Sequence, residues 1–260
     1  MAAFDPEALR LSSRQLAVSE EPCGFFHVDD FLPASLYASL QASFPRAEVG
    51  YTADPDGKLG LRSSSAPAGF DAFCRAYPDW RALIDFLASD AFVLDLGALL
   101  RAPLVRARGL AGHKRWRNDS GRVASNNPLH YTLGEPVRTT FQFSRLSAGK
   151  EVVPHTDAPR KLVSLMLYFA PRDWQPGWGG GTSFLRPGRG LGRPAPTERV
   201  GWERLSAGAE VAFVPNRLVG FVRSENSWHG VRRLACPPGR TRDALLINVK
   251  RVKWSKRDRP

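Results

Sequence analysis

His155 and Asp157 stand two residues apart in VVPHTDAPRKLVSLMLYF (152–169), directly before an apolar run. An imidazole nitrogen and a carboxylate oxygen both suit a divalent metal, and in an extended chain residues i and i+2 point to one side. A chain of 260 residues with 5 His and 25 Asp and Glu would often supply one such pair by chance, so a third ligand is needed. SWHGV (227–231) offers His229, after a second strand-like segment at 219–223. Two imidazoles and one carboxylate occupy one face of an octahedral ion and leave positions open, which suits non-haem Fe(II) and oxygen chemistry. A structural zinc site would favour thiolates. Cys23, Cys74 and Cys236 are widely spaced, form no Cys-x-x-Cys pair, and are expected as buried free thiols.

The elements that must carry these ligands are short strands. Apolar or alternating segments at 139–146, 162–169, 182–185, 210–214, 219–223 and 244–249 are separated by Gly/Pro clusters such as QPGWGGG (175–181). That pattern predicts an antiparallel sandwich or barrel. Gly179-Gly180-Gly181 has no following Lys and opens no helix, so it predicts a tight turn rather than a phosphate loop. Upstream, Leu36, Leu40 and Phe44 keep a four-residue spacing, and 70–100 repeats apolar positions at three and four, so helices are expected there. His27 falls in a strand-like stretch and reads as a structural histidine. His113 and His130 fall in a Gly-, Asn- and Arg-rich loop region and read as solvent-facing or substrate-adjacent. Trp174, Trp178 and Trp228 read as packing residues.

Composition is that of a globular protein, 43% hydrophobic and 24% charged, with room for a sizeable core. The first residues lack the basic head and apolar core of a signal peptide, and no segment reaches the length of a membrane helix. A cytoplasmic protein without a membrane partner is therefore expected. Charge is uneven: residues 1–100 hold 7 Lys and Arg against 14 Asp and Glu, and residues 101–260 hold 30 against 11. No aromatic-and-basic groove motif accompanies that excess, so nucleic acid is the less favoured partner.

The ordered set His155-Thr-Asp157, the strand ending at Tyr168, Trp178-Gly-Gly-Gly-Thr182, His229-Gly-Val and Arg242 before a last apolar strand resembles the 2-oxoglutarate- and Fe(II)-dependent oxygenases. It is nearest their prolyl-4-hydroxylase-like branch. The resemblance covers about 139–250, and FFHVDDFLPASLYASL near the start is similar to that branch less specifically. It implies a double-stranded β-helix (jelly-roll) core with supporting N-terminal helices: support at 1–105, a catalytic core at 106–250, and a basic tail at 251–260.

It further implies Fe(II) on His155, Asp157 and His229, with 2-oxoglutarate held at its far carboxylate by Arg242. Arg240 is the alternative, and Tyr168 is a candidate assistant. Dioxygen would be consumed, succinate and CO2 released, and a C–H bond of a small molecule or peptide hydroxylated, with ascorbate as a stimulant. Oxidative demethylation of nucleic acid and a non-catalytic binding module are the competing readings. Many relatives carry a Tyr where this chain has Leu146, so a supporting hydrogen bond to the co-substrate is either absent or supplied by Gln142 or Arg145.

Overall fold

The computed structural model describes residues 5, 7–14, 16–46, 50–120, 134–188 and 197–252. Two antiparallel sheets form its core. The larger joins β1 (Phe25–Val28), β10 (Leu218–Val222), β7 (Lys161–Tyr168), β12 (Thr241–Arg251), β5 (Glu135–Ser147), β3 (Leu59–Arg62) and β2 (Thr52–Ala53) in that order, with β4 (Trp116–Asn118) parallel to the start of β5. The smaller runs β6 (Val152–His155), β11 (Trp228–Val231), β8 (Thr182–Pro187), β9 (Leu205–Val211). This is the antiparallel sandwich that the strand pattern predicts, in the double-stranded β-helix form that the resemblance implies.

Strand parity explains the apolar run before Tyr168. Leu165 and Leu167 of β7, with Leu245, Ile247 and Val249 of β12 and Phe141 and Phe143 of β5, belong to the large cluster shared with the helices. The alternate residues Ser164, Met166, Leu246 and Asn248 border an interior cavity. A strand covered on both faces cannot show the apolar–polar alternation of a half-exposed one.

The helices are α1 (Ala34–Ala42), α2 (Pro67–Ala76), α3 (Pro78–Leu87), α4 (Asp90–Leu99) and α5 (Arg101–Arg108). Pro67 and Pro78 each open a helix, where a missing N–H costs nothing, and Pro78 also prevents α2 from continuing. Ser89 caps α4 by accepting the Phe92 amide at 3.3 Å. Trp80, fully buried, locks this layer to the sheet. It meets Phe143 edge-on at 4.8 Å and Phe169 at 5.1 Å, and its Nε1 donates to Ser43 at 3.1 Å.

Some expectations move. α1 stops at Ala42, so Phe44 packs from the following turn. The strand expected at 210–214 instead spans 205–211. His27 is exposed on β1 rather than enclosed. His113 is also exposed, while His130 lies outside the described residues. The three cysteines are free and buried. No helix among the described residues is long and apolar enough to cross a membrane.

Candidate metal centre and co-substrate pocket

β6 ends at His155, so Asp157 sits on the loop just beyond it rather than on the same strand. His229 lies in β11, directly opposite His155 in the ladder. The two rings are 4.4 Å apart between centroids, and one ligand atom from each of His155, Asp157 and His229 lies within 4.8 Å of the others. Among the described residues this is the one cluster of its kind.

Backbone hydrogen bonds settle which nitrogen each histidine offers. His155 Nδ1 lies 3.0 Å from the Val153 carbonyl and His229 Nδ1 lies 3.0 Å from the Ser227 carbonyl. A carbonyl only accepts, so each Nδ1 carries the proton and each Nε2 keeps its lone pair. Burial, then the neighbouring His229, pushes the His155 pKa down to about 3; burial likewise lowers that of His229. Both rings are therefore neutral near pH 7.

Asp157 is buried, which alone would raise its pKa. The charge and hydrogen bond of Lys161 outweigh that and hold the carboxyl well below its usual range. Its Oδ1 accepts from Lys161 Nζ at 2.5 Å and its Oδ2 from Ser164 Oγ at 2.5 Å, and Ser164 also meets Asn248 Oδ1 at 3.2 Å. Two neutral imidazoles and one ionised carboxylate are the protonation states that a divalent ion requires. The donor set fits Fe(II).

These residues border a cavity of about 220 Å³ that also meets Gln142, Thr182 and Arg242. Arg242 is buried on β12, and burial lowers its pKa. Its Nε donates to the Gly180 carbonyl at 2.5 Å and its Nη2 to Thr182 Oγ1 at 3.3 Å. Its guanidinium lies 4.9 Å from the Tyr168 ring centroid and 5.2 Å from that of Phe213. Tyr168 shares a 2.6 Å hydrogen bond with Thr182. Gly180 has φ +92°, a conformation that L side chains rarely adopt, and this turn delivers its carbonyl to Arg242. Among the described residues no carboxylate pairs with Arg242. A buried guanidinium held only by neutral groups is suited to receive an anion.

The structure separates the two candidate arginines. Arg240 precedes β12, is paired with Asp173 (3.1 and 2.5 Å) at the surface, and does not border the cavity. Arg145 and Gln142 also part, because they differ in parity. Arg145 turns to the helix side, bonds Asp243 at 2.9 and 2.8 Å and lies over Phe44, whereas Gln142 borders the cavity. The Gln142 Nε2 is buried without a hydrogen-bond partner among the described residues. Trp228 is fully buried against Leu185 and Val200, and Trp174 packs edge-on against Trp178 and Phe213. Sequence reasoning missed Lys161, Ser164 and Asn248, which support Asp157, and Lys58, which enters the cavity from the β2–β3 turn. The lone Ser164 within the apolar run of β7 is the one local signal that pointed to any of them.

Residues 141–249 match the family model described as the 2OG-Fe(II) oxygenase superfamily. The chain carries a 2OG-Fe(II) oxygenase domain. Such a domain uses Fe(II) and 2-oxoglutarate, and its fold recurs in solved structures. The non-haem α-ketoglutarate-dependent carbocyclase SnoK from nogalamycin biosynthesis superposes with a TM-score of 0.53 at 11% identity, over 95% of this chain and 84% of that one. The epimerase SnoN from the same biosynthesis gives 0.51 at 16% identity, with the same coverage. A prolyl-4-hydroxylase from Pseudomonas putida gives 0.48 at 18% identity, over 89% of this chain and 95% of that one. A search of curated proteins finds no match. In this chain, residues of the smaller sheet and of β5, β7 and β12 border one cavity.

Proposed function

We propose that the protein hydroxylates an unactivated C–H bond of a small molecule or of a peptide side chain, releasing succinate and CO2. His155, Asp157 and His229 would hold Fe(II), and Arg242 would hold the far carboxylate of 2-oxoglutarate. The observation that carries this reading is the convergence of His155, Asp157 and His229 with both histidine Nδ1 atoms already committed to backbone carbonyls. When bound, iron and 2-oxoglutarate supply the oxidising power for the C–H bond.

The chain's own residues orient and shield. The ladder between β6 and β11 fixes the imidazoles, while Ser164 and Lys161 aim the carboxylate. Gly180, Thr182 and the Tyr168 ring hold Arg242 in place from its far side, so its planar fork meets an incoming carboxylate without rearrangement. Gln142 replaces the absent tyrosine as a donor toward the co-substrate. Retention of Asp157 speaks against halogenation, which needs that metal position vacated for halide.

The test is succinate formation by purified protein given Fe(II), ascorbate and 2-oxoglutarate, with and without a library of metabolites and peptides. Iron-dependent succinate that rises with a library member is the expected result. No succinate together with no 2-oxoglutarate binding would overturn the proposal.

A further inference from the structure

Lys250 stands in register with Lys161 on one neighbouring strand and with Arg138 on the other. Like charges directly opposite across strands are unfavourable; Lys161 has Asp157 at 2.5 Å, so Lys250 is the cation of this row that calls for an anion. Arg138 has interactions of its own. Lys250 has no ion-pair or hydrogen-bond partner among the described residues, although it is half-buried. Burial and then Lys161 lower its pKa. Lys250 lies two residues from Asn248 on the same face of β12, and a register shift in β7 sets Lys161 opposite it; Asn248 and Lys161 border the metal cavity, and Lys250 stands just outside that lining.

A second pair of cations approaches from β3. Lys58 borders the cavity and shares Asp54 (3.3 Å) with Arg62, which is also paired to that carboxylate. Lys58 feels the charges of Lys161 and Arg242, and Lys250 feels those of Lys161 and Arg62, so the five side chains form one field. Asp54 and Asp157 are the carboxylates lining this cavity among the described residues. Asp157 is committed to the metal set and to Lys161. Fe(II) and the 2-oxoglutarate dianion cancel each other in charge, so loading the cofactors leaves the positive excess in place.

We infer that the prime substrate carries an anionic oxygen group, a carboxylate, sulfate or phosphate, which Lys58 holds from the cavity wall and Lys250 from just outside it. This rests on the oxygenase reading above and names the class of molecule that the site takes. A small substrate or a short acidic side chain is favoured over nucleic acid. The cations form a compact cluster beside Asp54 and Asp56, not the continuous stripe that a phosphate backbone follows.

The experiment uses the full chain loaded with Mn(II) and saturated with 2-oxoglutarate, and follows the 31P relaxation of inorganic phosphate, with acetate as a competitor. Saturable relaxation that is weakened about fivefold or more in K250Q and in K58Q, as loss of one close charge predicts, supports the proposal. Unchanged 2-oxoglutarate affinity in both variants would separate the anion site from the co-substrate site. Phosphate that does not bind, or binds equally to wild type and both variants, overturns it. Displacement by oligothymidylates that strengthens with their length would overturn the small-anion commitment in favour of nucleic acid. Failure of 2-oxoglutarate itself to bind the Mn(II) protein would instead sink the oxygenase reading, so the two failures are distinct.

Discussion

His155 and His229 face each other across a four-residue ladder with their rings 4.4 Å apart, and each bonds the carbonyl two residues before it. Neither ring has freedom to turn its Nε2 away, so the pair is preorganised for an ion before any ion arrives. Replacing either by Ala should leave two ligands and lower Fe(II) or Ni(II) affinity by at least about 100-fold, beyond the range expected for a supporting residue. Metal content after equilibrium dialysis, with circular dichroism to check the fold, decides this. Full metal content in H229A would remove His229 from the set.

Ser164 supports the third ligand. Its hydroxyl reaches Asp157 Oδ2 at 2.5 Å and Asn248 at 3.2 Å. S164A should keep the fold and weaken metal binding about 10- to 100-fold, the usual effect of removing a group that orients a ligand. S164T, which restores a hydroxyl, should recover part of that loss. Equal metal affinity in S164A and wild type would show that Lys161 alone aims the carboxylate.

The proposed metal set could be read before the fold was seen because His-x-Asp and the later His sit beside recognisable strands. The anion site could not. Lys161 and Lys250 are 89 positions apart in the chain and meet only through the register of β7 on β12, which no local pattern encodes. Lys58 comes from a turn beside the two-residue β2, too short to announce itself. β6 and β11, four residues each, give no room for alternation to show. The placement of Asp157 beyond β6 and the exposure of His27 follow from the same limit, since strand ends depend on tertiary pairing.

Burial governs the thiols. Cys23 and Cys74 are enclosed, and desolvation pushes both up to about 12. A raised thiol pKa means the neutral form dominates at pH 8, with a thiolate fraction on the order of one in ten thousand. A disulfide reagent added to native protein at pH 8 should therefore leave Cys23 and Cys74 unmodified, and their reaction should accelerate about tenfold per pH unit toward pH 11 if the fold persists. All three should react at once in denaturant. Fast native labelling of Cys74 would mean that α2 opens readily.

Arg242 and Arg240 make the sharpest pair for mutation, because they are two residues apart and face opposite demands. Arg242 is buried with neutral partners, while Arg240 is exposed and paired with Asp173. R242K keeps a charge but loses the fork that meets a carboxylate at two points, and should raise the 2-oxoglutarate requirement by about 10-fold or more. R242A should raise it further with a smaller change in the maximal rate at saturating co-substrate. R240A should leave both within about twofold, since exposed ion pairs contribute little. The readout is succinate formation against 2-oxoglutarate concentration. An R240A variant with the larger shift would move the carboxylate contact to the rim of the pocket and release Arg242 to a purely structural role.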